Sequence, residues 1–376
     1  MKTTLKSTVA LLLALVLLVC AALPAFAFSY GDEGDEFASF GIAKGYVRTK
    51  ADRKDSEGGT HVAAWTYNEQ GKLLKKTDTK KGPEGTYKTT VKNTYDKKGN
   101  LTKEVLNDNG TIFATTHTHD KKGNAIKSVQ KTIHPDGTAY TSTTVCTYDQ
   151  KNRLTKQVDD FGDSVRTRTY AFNKVGKPTK ETDVTVSEDN TRTSETTTHT
   201  YDKDGHEIKL AIVSKSSLTG SAKRTLTGVY NSKGQLVKQT EVNTRDGQTD
   251  REVTTYTYDK KGNKTKEAIQ STYGDGSKAS RTITSTYDDK GRLTKEVYAD
   301  KTQWGSGKST YIYGYDSKGR LTKETNTYKS SDGTSKSVTT YAYSKAGNLT
   351  KTVESISDGD YTGKVVTTYT YRKIGA

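Results

Sequence analysis

Apolar and polar residues alternate along most of the chain after residue 60, and short polar turns interrupt this alternation at regular intervals. One such stretch, TYDKKGNLTKEV at 94–105, returns with small changes as TYDDKGRLTKEV at 286–297 and GYDSKGRLTKET at 314–325. A period of two is typical of a β-strand whose two faces differ in burial. No stretch beyond residue 27 shows the helical period. The pattern therefore predicts an all-β chain built from repeated strands.

An aromatic residue precedes each of these turns and recurs about every 28 residues. We call this place the tyrosine position, and it is occupied by Tyr67, Tyr95, His119, Tyr148, Phe172, Tyr201, Tyr230, Tyr258, Tyr287, Tyr315, Tyr343 and Tyr371. A fixed period of this length indicates a repeat architecture rather than a series of separate domains.

Each repeat contains two predicted turns. Asp or Asn follows the tyrosine position in nearly every repeat, and Gly comes four residues after it, with Asn152 in one repeat. This spacing predicts a type I turn that ends in a left-handed residue. A second turn lies near the middle of the repeat, as in NDNGT at 107–111 and TRDGQ at 244–248. Each repeat is thus one hairpin, and the chain is predicted to be a long antiparallel meander of roughly 22–24 strands that coils or curls as a single-layer sheet.

The turn also predicts a register. If Asp96 lies opposite Asn100, then Tyr95 faces Leu101 and Asn93 faces Lys103. The same register places a lysine, eight residues after the tyrosine position, across from the residue two before that position. That residue is aromatic at Trp65, Tyr170, Tyr256, Tyr313 and Tyr341.

The N-terminal residues have the organisation of a secretory signal peptide. Lys2 and Lys6 precede the apolar run 9–19, and small residues lead to a predicted cleavage site after Ala27. We therefore expect a secreted or cell-surface, cell-wall-associated protein. No later apolar run is long enough to span a membrane, so no transmembrane anchor is expected. Residues 28–60 are predicted to form an N-terminal lead-in segment, and residues 61–376 the hairpin array.

The composition favours a thin sheet rather than a fold with a thick core. Hydrophobic residues make up 30% of the chain, and the protein has 24 tyrosines and a formal net charge of +16. Such a basic protein attracts polyanions, although charge also keeps a sheet with little core monomeric.

The Tyr-Asp-x-x-Gly-x-Leu motif, repeated from about residue 61 onward, resembles the YD-repeat family, also called RHS-like repeats. The resemblance implies an extracellular array of β-strands, which in that family is associated with carbohydrate binding, bacterial cell walls and large shells that enclose toxins. The period near 28 is longer than is usual for the family, and no C-terminal toxin domain is recognisable.

The most regular position of the repeat is a lysine eight residues after the tyrosine position. It is Lys75, Lys103, Lys127, Lys156, Lys180, Lys209, Lys238, Lys266, Lys295, Lys323 and Lys351. A row of amines about 10 Å apart suits a polysaccharide or an anionic cell-wall polymer. The candidate binding residues are Lys238, Lys266, Lys295, Lys323, Lys351, Tyr256, Tyr313 and Tyr341. The alternative is structural: an adhesin stalk or an RHS-like shell fragment that has no ligand of its own.

Other chemistry is not indicated. His117 and His119 lie two apart on one strand face, but no further ligand completes a metal set by spacing. No unique pair of acids points to catalysis. We therefore expect no enzyme activity, no cofactor, no metal and no specific nucleic acid partner. The sequence leaves the oligomeric state open.

Overall fold

The computed structural model describes residues 46–56, 58–218, 220–303, 305–331, 333–359 and 361–373. The predicted signal peptide at 1–27 lies outside these residues. All of the helix or strand structure in the described part of the chain is β-strand. That part holds no helix of the length and apolar character needed to cross a membrane.

Twenty-four strands follow one another along the chain. The first twelve are β1 (Tyr46–Asp55), β2 (Thr60–Tyr67), β3 (Leu73–Gly82), β4 (Gly85–Tyr95), β5 (Leu101–Asp108), β6 (Thr111–His119), β7 (Ala125–Ile133), β8 (Ala139–Tyr148), β9 (Leu154–Asp160), β10 (Ser164–Phe172), β11 (Pro178–Ser187) and β12 (Arg192–Tyr201). The others are β13 (Glu207–Ser216), β14 (Gly220–Tyr230), β15 (Leu236–Arg245), β16 (Gln248–Tyr258), β17 (Lys264–Thr272), β18 (Lys278–Tyr287), β19 (Leu293–Thr302), β20 (Gly305–Tyr315), β21 (Leu321–Ser330), β22 (Gly333–Tyr343), β23 (Leu349–Asp358) and β24 (Tyr361–Lys373).

The predicted all-β antiparallel meander of hairpins is confirmed. Each strand pairs with the strand before it and the strand after it in a single sheet. The residue at the tyrosine position is the last residue of every even-numbered strand from β2 to β22. The turn that follows it and the turn in the middle of the repeat therefore lie at opposite edges of the sheet.

The sheet closes on itself. Strand β1 pairs with β2 on one side and with β24 on the other. The pairing of β1 with β24 runs from Tyr46 opposite Lys373 to Asp55 opposite Val365. The small side chains of Ala51 and Ala63 are fully buried beside Trp65 at this junction. Closure joins the two edge strands and removes the unpaired backbone edges that an open meander would expose.

The turn after the tyrosine position has the predicted geometry. Gly99 has a φ of +82° and donates its N–H to the carbonyl of Asp96 at 2.9 Å. The Asp96 carboxylate accepts the N–H of Asn100 at 2.8 Å. Asn152, which replaces the glycine in one repeat, also adopts a left-handed φ of +67°. Asn tolerates this conformation better than other residues with a side chain, which is why the substitution preserves the turn.

Most tyrosines at the tyrosine position also form a hydrogen bond with the preceding repeat. The Tyr95 hydroxyl donates to the carbonyl of Leu73 at 2.9 Å, a carbonyl near the turn where β3 and β4 have not yet begun to pair. Equivalent bonds of 2.8–3.2 Å are made by Tyr148, Tyr201, Tyr230, Tyr258, Tyr287, Tyr315 and Tyr343. The tyrosine thus satisfies a backbone group that the strand ladder leaves open.

The predicted register is wrong beyond its first pair. Tyr95 does face Leu101, but a one-residue bulge then shifts the pairing, so that Asn93 faces Glu104 and not Lys103. The same shift occurs next to the tyrosine position in every hairpin formed across such a turn, from β2–β3 to β22–β23. A bulge inserts one residue into one strand, and every side chain beyond it moves to the other face of the sheet.

Candidate functional site

The sheet has two faces of different character. Directly paired residues share a face, and successive residues along a strand alternate between faces. We call the face that carries the tyrosine position the tyrosine face, and the opposite one the lysine face. In the most regular repeats the tyrosine face holds Tyr313 opposite Glu324, while the lysine face holds Gly314 opposite Lys323.

The tyrosine face is the inner face of the closed sheet. Every buried strand side chain in the described residues lies on it: Arg48, Ala51, His61, Ala63, Trp65, Leu106, Ser128, Gln130, Thr132, Cys146, Gln157, Asp159, Thr254, Ser285, Leu349 and Thr367. By contrast, Val145, Val229 and Ile312 on the lysine face are 44%, 54% and 51% exposed despite being apolar. Side chains converge on the concave side of a closed sheet and diverge on its convex side, so this difference places the tyrosine face inside.

The eleven predicted lysines form a regular row around the outer face of the sheet. Lys295 faces Ile312 of β20, and Lys323, two strands further on, faces Gly314 of the same strand. Each repeat is therefore staggered by two residues relative to the next, which sets neighbouring lysines about 12 Å apart and corresponds to a strand tilt of roughly 35°. A circular cross-section with this tilt is about 45 Å wide between backbones.

Lys50, which the repeat spacing did not predict, is a twelfth lysine and completes the ring. Lys50 faces Thr370 of β24 and Ala64 of β2, as each of the other lysines faces the equivalent residues of its neighbours. The signal was present: Arg48-Thr49-Lys50 matches the Leu-Thr-Lys of 101–103, but it stands before the first tyrosine position. We call this set the lysine belt: Lys50, Lys75, Lys103, Lys127, Lys156, Lys180, Lys209, Lys238, Lys266, Lys295, Lys323 and Lys351.

The belt amines are exposed, and their face is almost free of acids. Within the described strands, Asp52 and Asp160 are the acidic residues of the lysine face, and Lys50 pairs with Asp52 at 3.0 Å. No other belt lysine has an ion pair in the described part of the chain. The remaining strand carboxylates lie on the tyrosine face, where several of them pair with Arg or Lys, so the outer face is basic and nearly all strand acids point inward.

The predicted lysine and tyrosine candidates do not form one site. Lys266 faces Thr257, whereas Tyr256 faces Glu267 on the opposite side of the sheet. Likewise Tyr313 and Tyr341 lie on the tyrosine face, while Lys238, Lys295, Lys323 and Lys351 lie on the lysine face. The bulge is the physical reason, because it reverses the face of each lysine relative to the tyrosine position.

Turn cations stack on several aromatic rings of the tyrosine position. The last turn residue of one repeat lies over the aromatic ring of the next: Arg292 over Tyr315 at 4.7 Å and Arg320 over Tyr343 at 4.6 Å. Lys72, Arg153 and Lys177 occupy the same place over Tyr95, Phe172 and Tyr201. These cation–π contacts link successive repeats at one rim of the sheet.

One group of possible metal ligands occurs in the described residues. Ligand atoms of Asp202, Asp204 and His206 lie within 4.8 Å of one another in a single turn. The Asp202 carboxylate already accepts the N–H of Asp204 at 2.9 Å and contacts the His206 ring nitrogen at 3.0 Å. The His206 ring stacks on Tyr230, 4.7 Å between centroids, where other repeats have Lys or Arg. These contacts stabilise the turn, which accounts for the positions of all three residues. His117, for its part, contacts Ser128 at 2.8 Å.

These features define a closed all-β repeat protein with a basic outer face and an acidic, aromatic inner face. The model of the RHS Repeat family matches residues 287–334. Residues 287–334 therefore match an RHS repeat, and the resemblance to the YD-repeat family is confirmed there.

Two solved structures are similar in part. One is the Tc holotoxin pore of Photorhabdus luminescens carrying the TccC3-D651A mutation, at 12% identity and a TM-score of 0.19, covering 83% of this chain and 26% of that one. The other is a porin-like protein from Bacteroides uniformis, at 13% identity and a TM-score of 0.24, covering 86% and 98%. The chain thus spans about a quarter of the toxin chain. No curated protein matches the sequence.

Proposed function

We propose that the protein is a non-catalytic extracellular shell whose closed sheet surrounds a second molecule. The observation that carries this proposal is the pairing of β1 with β24, which joins the first and last strands into a ring. Closed sheets with far fewer strands already enclose a water-filled space, so a ring of this size surrounds more volume than its own side chains fill. The RHS repeat at 287–334 supports the class, and the signal-like residues 1–27 support the location.

The proposal is tested by comparing the two faces of one strand. Ser337 and Thr340 lie on β22, Ser337 on the tyrosine face and Thr340 on the lysine face. Each is replaced by cysteine, and labelling by a small maleimide is compared with labelling by a maleimide carried on a large polymer. The unsubstituted protein gives the background from the native cysteines.

A shell predicts that Thr340→Cys reacts with both reagents and that Ser337→Cys reacts readily with the small reagent alone. Equal reaction of both variants with the large reagent would show that the inner face is not enclosed, and the shell proposal would fall.

A second candidate function is binding of a polysaccharide or an anionic wall polymer on the outside. The observation that favours it is the lysine belt itself, whose amines face solvent on a surface nearly without acids. At a spacing of about 12 Å the charges act together at low ionic strength and are screened at high ionic strength.

Dextran sulfate and neutral dextran are suitable probes for the belt. Replacing Lys266, Lys295, Lys323 and Lys351 by Gln should weaken dextran sulfate binding and flatten its salt dependence, because fewer counterions are released. The matched control replaces Lys97, Lys121, Lys260 and Lys318, which lie in the turns. If both quadruple variants lose binding equally, net charge rather than the belt is responsible.

A further inference from the structure

An aromatic and acidic surface lies on the inner face of strands β19 to β22. We call it the tyrosine–glutamate patch, and it consists of Glu296, Tyr298, Tyr311, Tyr313, Glu324 and Tyr341. The register brings these residues together on neighbouring strands, with Glu296 opposite Tyr311 and Tyr313 opposite Glu324. All six are half-buried, so their side chains are packed but still reachable from the enclosed space.

The rings form a connected surface. Tyr298 and Tyr311 meet edge to face with 5.6 Å between ring centroids, and Tyr311 stacks with Tyr313 at 6.5 Å. Aromatic faces carry partial negative charge and attract a cation placed over them. Five rings of the tyrosine position are already covered by turn cations, whereas those of Tyr298, Tyr311 and Tyr313 contact other tyrosines.

The two carboxylates of the patch are held by hydroxyl groups rather than by cations. Glu296 accepts hydrogen bonds from Ser285 at 2.8 Å and from Tyr298 at 2.6 Å. Glu324 accepts one from Tyr341 at 3.2 Å. Neither forms an ion pair within the described residues. Some other acids on the same face are neutralised by cations: Glu241 by Arg224 at 2.6 Å, and Glu267 by Lys264.

The negative charge of the patch affects the pKa of neighbouring tyrosines. Burial, and then the charges of Glu324 and Glu296, raise the pKa of Tyr313 to about 12. The hydrogen bond to Glu296 raises the pKa of Tyr298 above its ordinary value. The contributions of Glu296 and Glu324 to these two shifts come from ionised carboxylates close to the rings, and a bound cation would neutralise that charge.

An acceptor without a donor adjoins the same patch. The side-chain oxygen of Asn326 is buried and has no hydrogen-bond partner. Asn326 lies opposite Tyr311, two residues along β21 from Glu324. A buried acceptor left without a donor costs free energy, so this oxygen would be stabilised by an N–H donor.

We propose that the tyrosine–glutamate patch binds a cationic polypeptide segment, with a lysine or arginine side chain placed between the carboxylates and over the rings. The proposal rests on the shell function, since it names the chemistry of the enclosed molecule. Charge complementarity selects this occupant: the patch carries two carboxylates and several ring faces, and none of its six residues is a cation. The chain's own lead-in is a poor fit, because GDEGDE at 31–36 carries four carboxylates.

The test uses the full chain and a fluorescent peptide of alternating Lys and Gly, with an alternating Glu and Gly peptide as the probe control. Binding is followed by fluorescence anisotropy at low and moderate salt. The test variant carries Glu296→Gln and Glu324→Gln. The matched variant carries Asp52→Asn and Asp160→Asn, which makes the same change in net charge on the outer face.

The expected result is a dissociation constant about ten-fold higher for the Glu296→Gln/Glu324→Gln variant, and little change for the matched variant. Tyr311→Leu with Tyr313→Leu should also weaken binding, because the rings are lost while the carboxylates stay. Thermal melting confirms that each variant folds. Equal weakening by both acid pairs, or no binding of the basic peptide by the unsubstituted protein, would overturn the proposal.

The shell function is judged separately by the cysteine labelling of Ser337 and Thr340. If the inner face proves enclosed but the basic peptide does not bind, the shell stands and the cationic ligand falls. If the inner face is open to the large reagent, the shell falls whatever the peptide does.

Discussion

The hydroxyl of Tyr315 donates a hydrogen bond of 2.8 Å to the carbonyl of Leu293 in the preceding repeat. Arg292, the neighbour of Leu293, covers the ring of the same tyrosine at 4.7 Å and is held by the Asp288 carboxylate at 2.7 Å. One side chain therefore links two hairpins through both of its ends. This explains why a Tyr-Asp pair recurs: the tyrosine reaches back one repeat, while the aspartate fixes the turn residue that covers the next ring.

The hydrogen bond of Tyr315 should contribute measurably to stability. Tyr315→Phe keeps the ring under Arg292 but leaves the Leu293 carbonyl without its donor, so we expect a loss of about 1 kcal/mol in the free energy of unfolding. Tyr311→Phe is the matched control, because no hydrogen bond of its hydroxyl occurs in the described part of the chain. Denaturant unfolding measures both, and an equal loss would show that the carbonyl contact is unimportant.

The left-handed turn residues should resist substitution. Gly99 has a φ of +82°, and a Cβ there would also displace the Lys72 amine that lies over Tyr95. We expect Gly99→Val to cost about 1–2 kcal/mol, which is the usual penalty for a side chain in this conformation. Lys98→Ala in the same turn should change the melting temperature little. Similar melting shifts for the two variants would contradict the assigned turn.

The turn aspartates should make the protein sensitive to acid. Hydrogen bonds from Arg320, backbone first, lower the pKa of Asp316, and the turns of Asp96, Asp149 and Asp288 are alike in this respect. A lowered folded-state pKa adds stability above the unfolded-state value near 3.9, and that stability is lost as pH falls through the lower folded value.

Asp316→Asn isolates one such turn. The variant should lose stability near neutral pH and show a weaker dependence on pH below about 4, because one titrating group has been removed. Unfolding measured between neutral pH and acid pH checks this. If the stability of the variant fell with acid as steeply as that of the unsubstituted protein, the Asp316 carboxylate would titrate alike in the folded and unfolded chain.

His117 should give a second, separate pH dependence. Burial, and then the nearby His119, lower the pKa of His117 from 6.5 to about 4. A histidine with a lowered folded-state pKa favours unfolding once the unfolded chain can take up the proton. Stability should therefore fall as pH drops from about 6.5 to about 4, by on the order of 1–3 kcal/mol.

His117→Gln removes this titration while keeping a polar side chain near Ser128. Between pH 6.5 and pH 4, the stability of this variant should depend less on pH than that of the unsubstituted protein. His134→Gln, in the turn at 134–138, is the matched control for the loss of one histidine. A slope unchanged in His117→Gln would assign the pH dependence to other groups.

The local parts of the fold were predictable because they depend on neighbouring residues. The Asp-x-x-Gly spacing determined the turns, including the left-handed Asn152. The bulge was not predicted, because the wrong register also gave reasonable pairs, such as Asn93 opposite Lys103. A signal was nevertheless present: Leu293 and Tyr298 both belong to the tyrosine face, and their odd separation requires one extra residue between them.

The composition of each face depends on that single bulge. With it, Lys266 turns outward and Glu267 inward, so a candidate site that joined Lys266 to Tyr256 became two separate surfaces. Closure was equally hidden from local reasoning, because β1 and β24 lie more than 300 residues apart. Residues 48–50 were the available clue, since they repeat the Leu-Thr-Lys motif with Arg in place of Leu.

The pairing of β1 with β24 has a consequence for how the molecule is made. Hairpins join residues close in sequence and form quickly, but this last pair must wait until the final strand has left the ribosome. Until then the growing sheet has two bare edges, each able to recruit another chain. Lys50, Lys54 and Lys364, which lie on these edge strands, would repel a second copy during that interval. During synthesis, ring closure therefore competes with edge-to-edge association. The yield of folded protein should depend on how fast β24 pairs with β1.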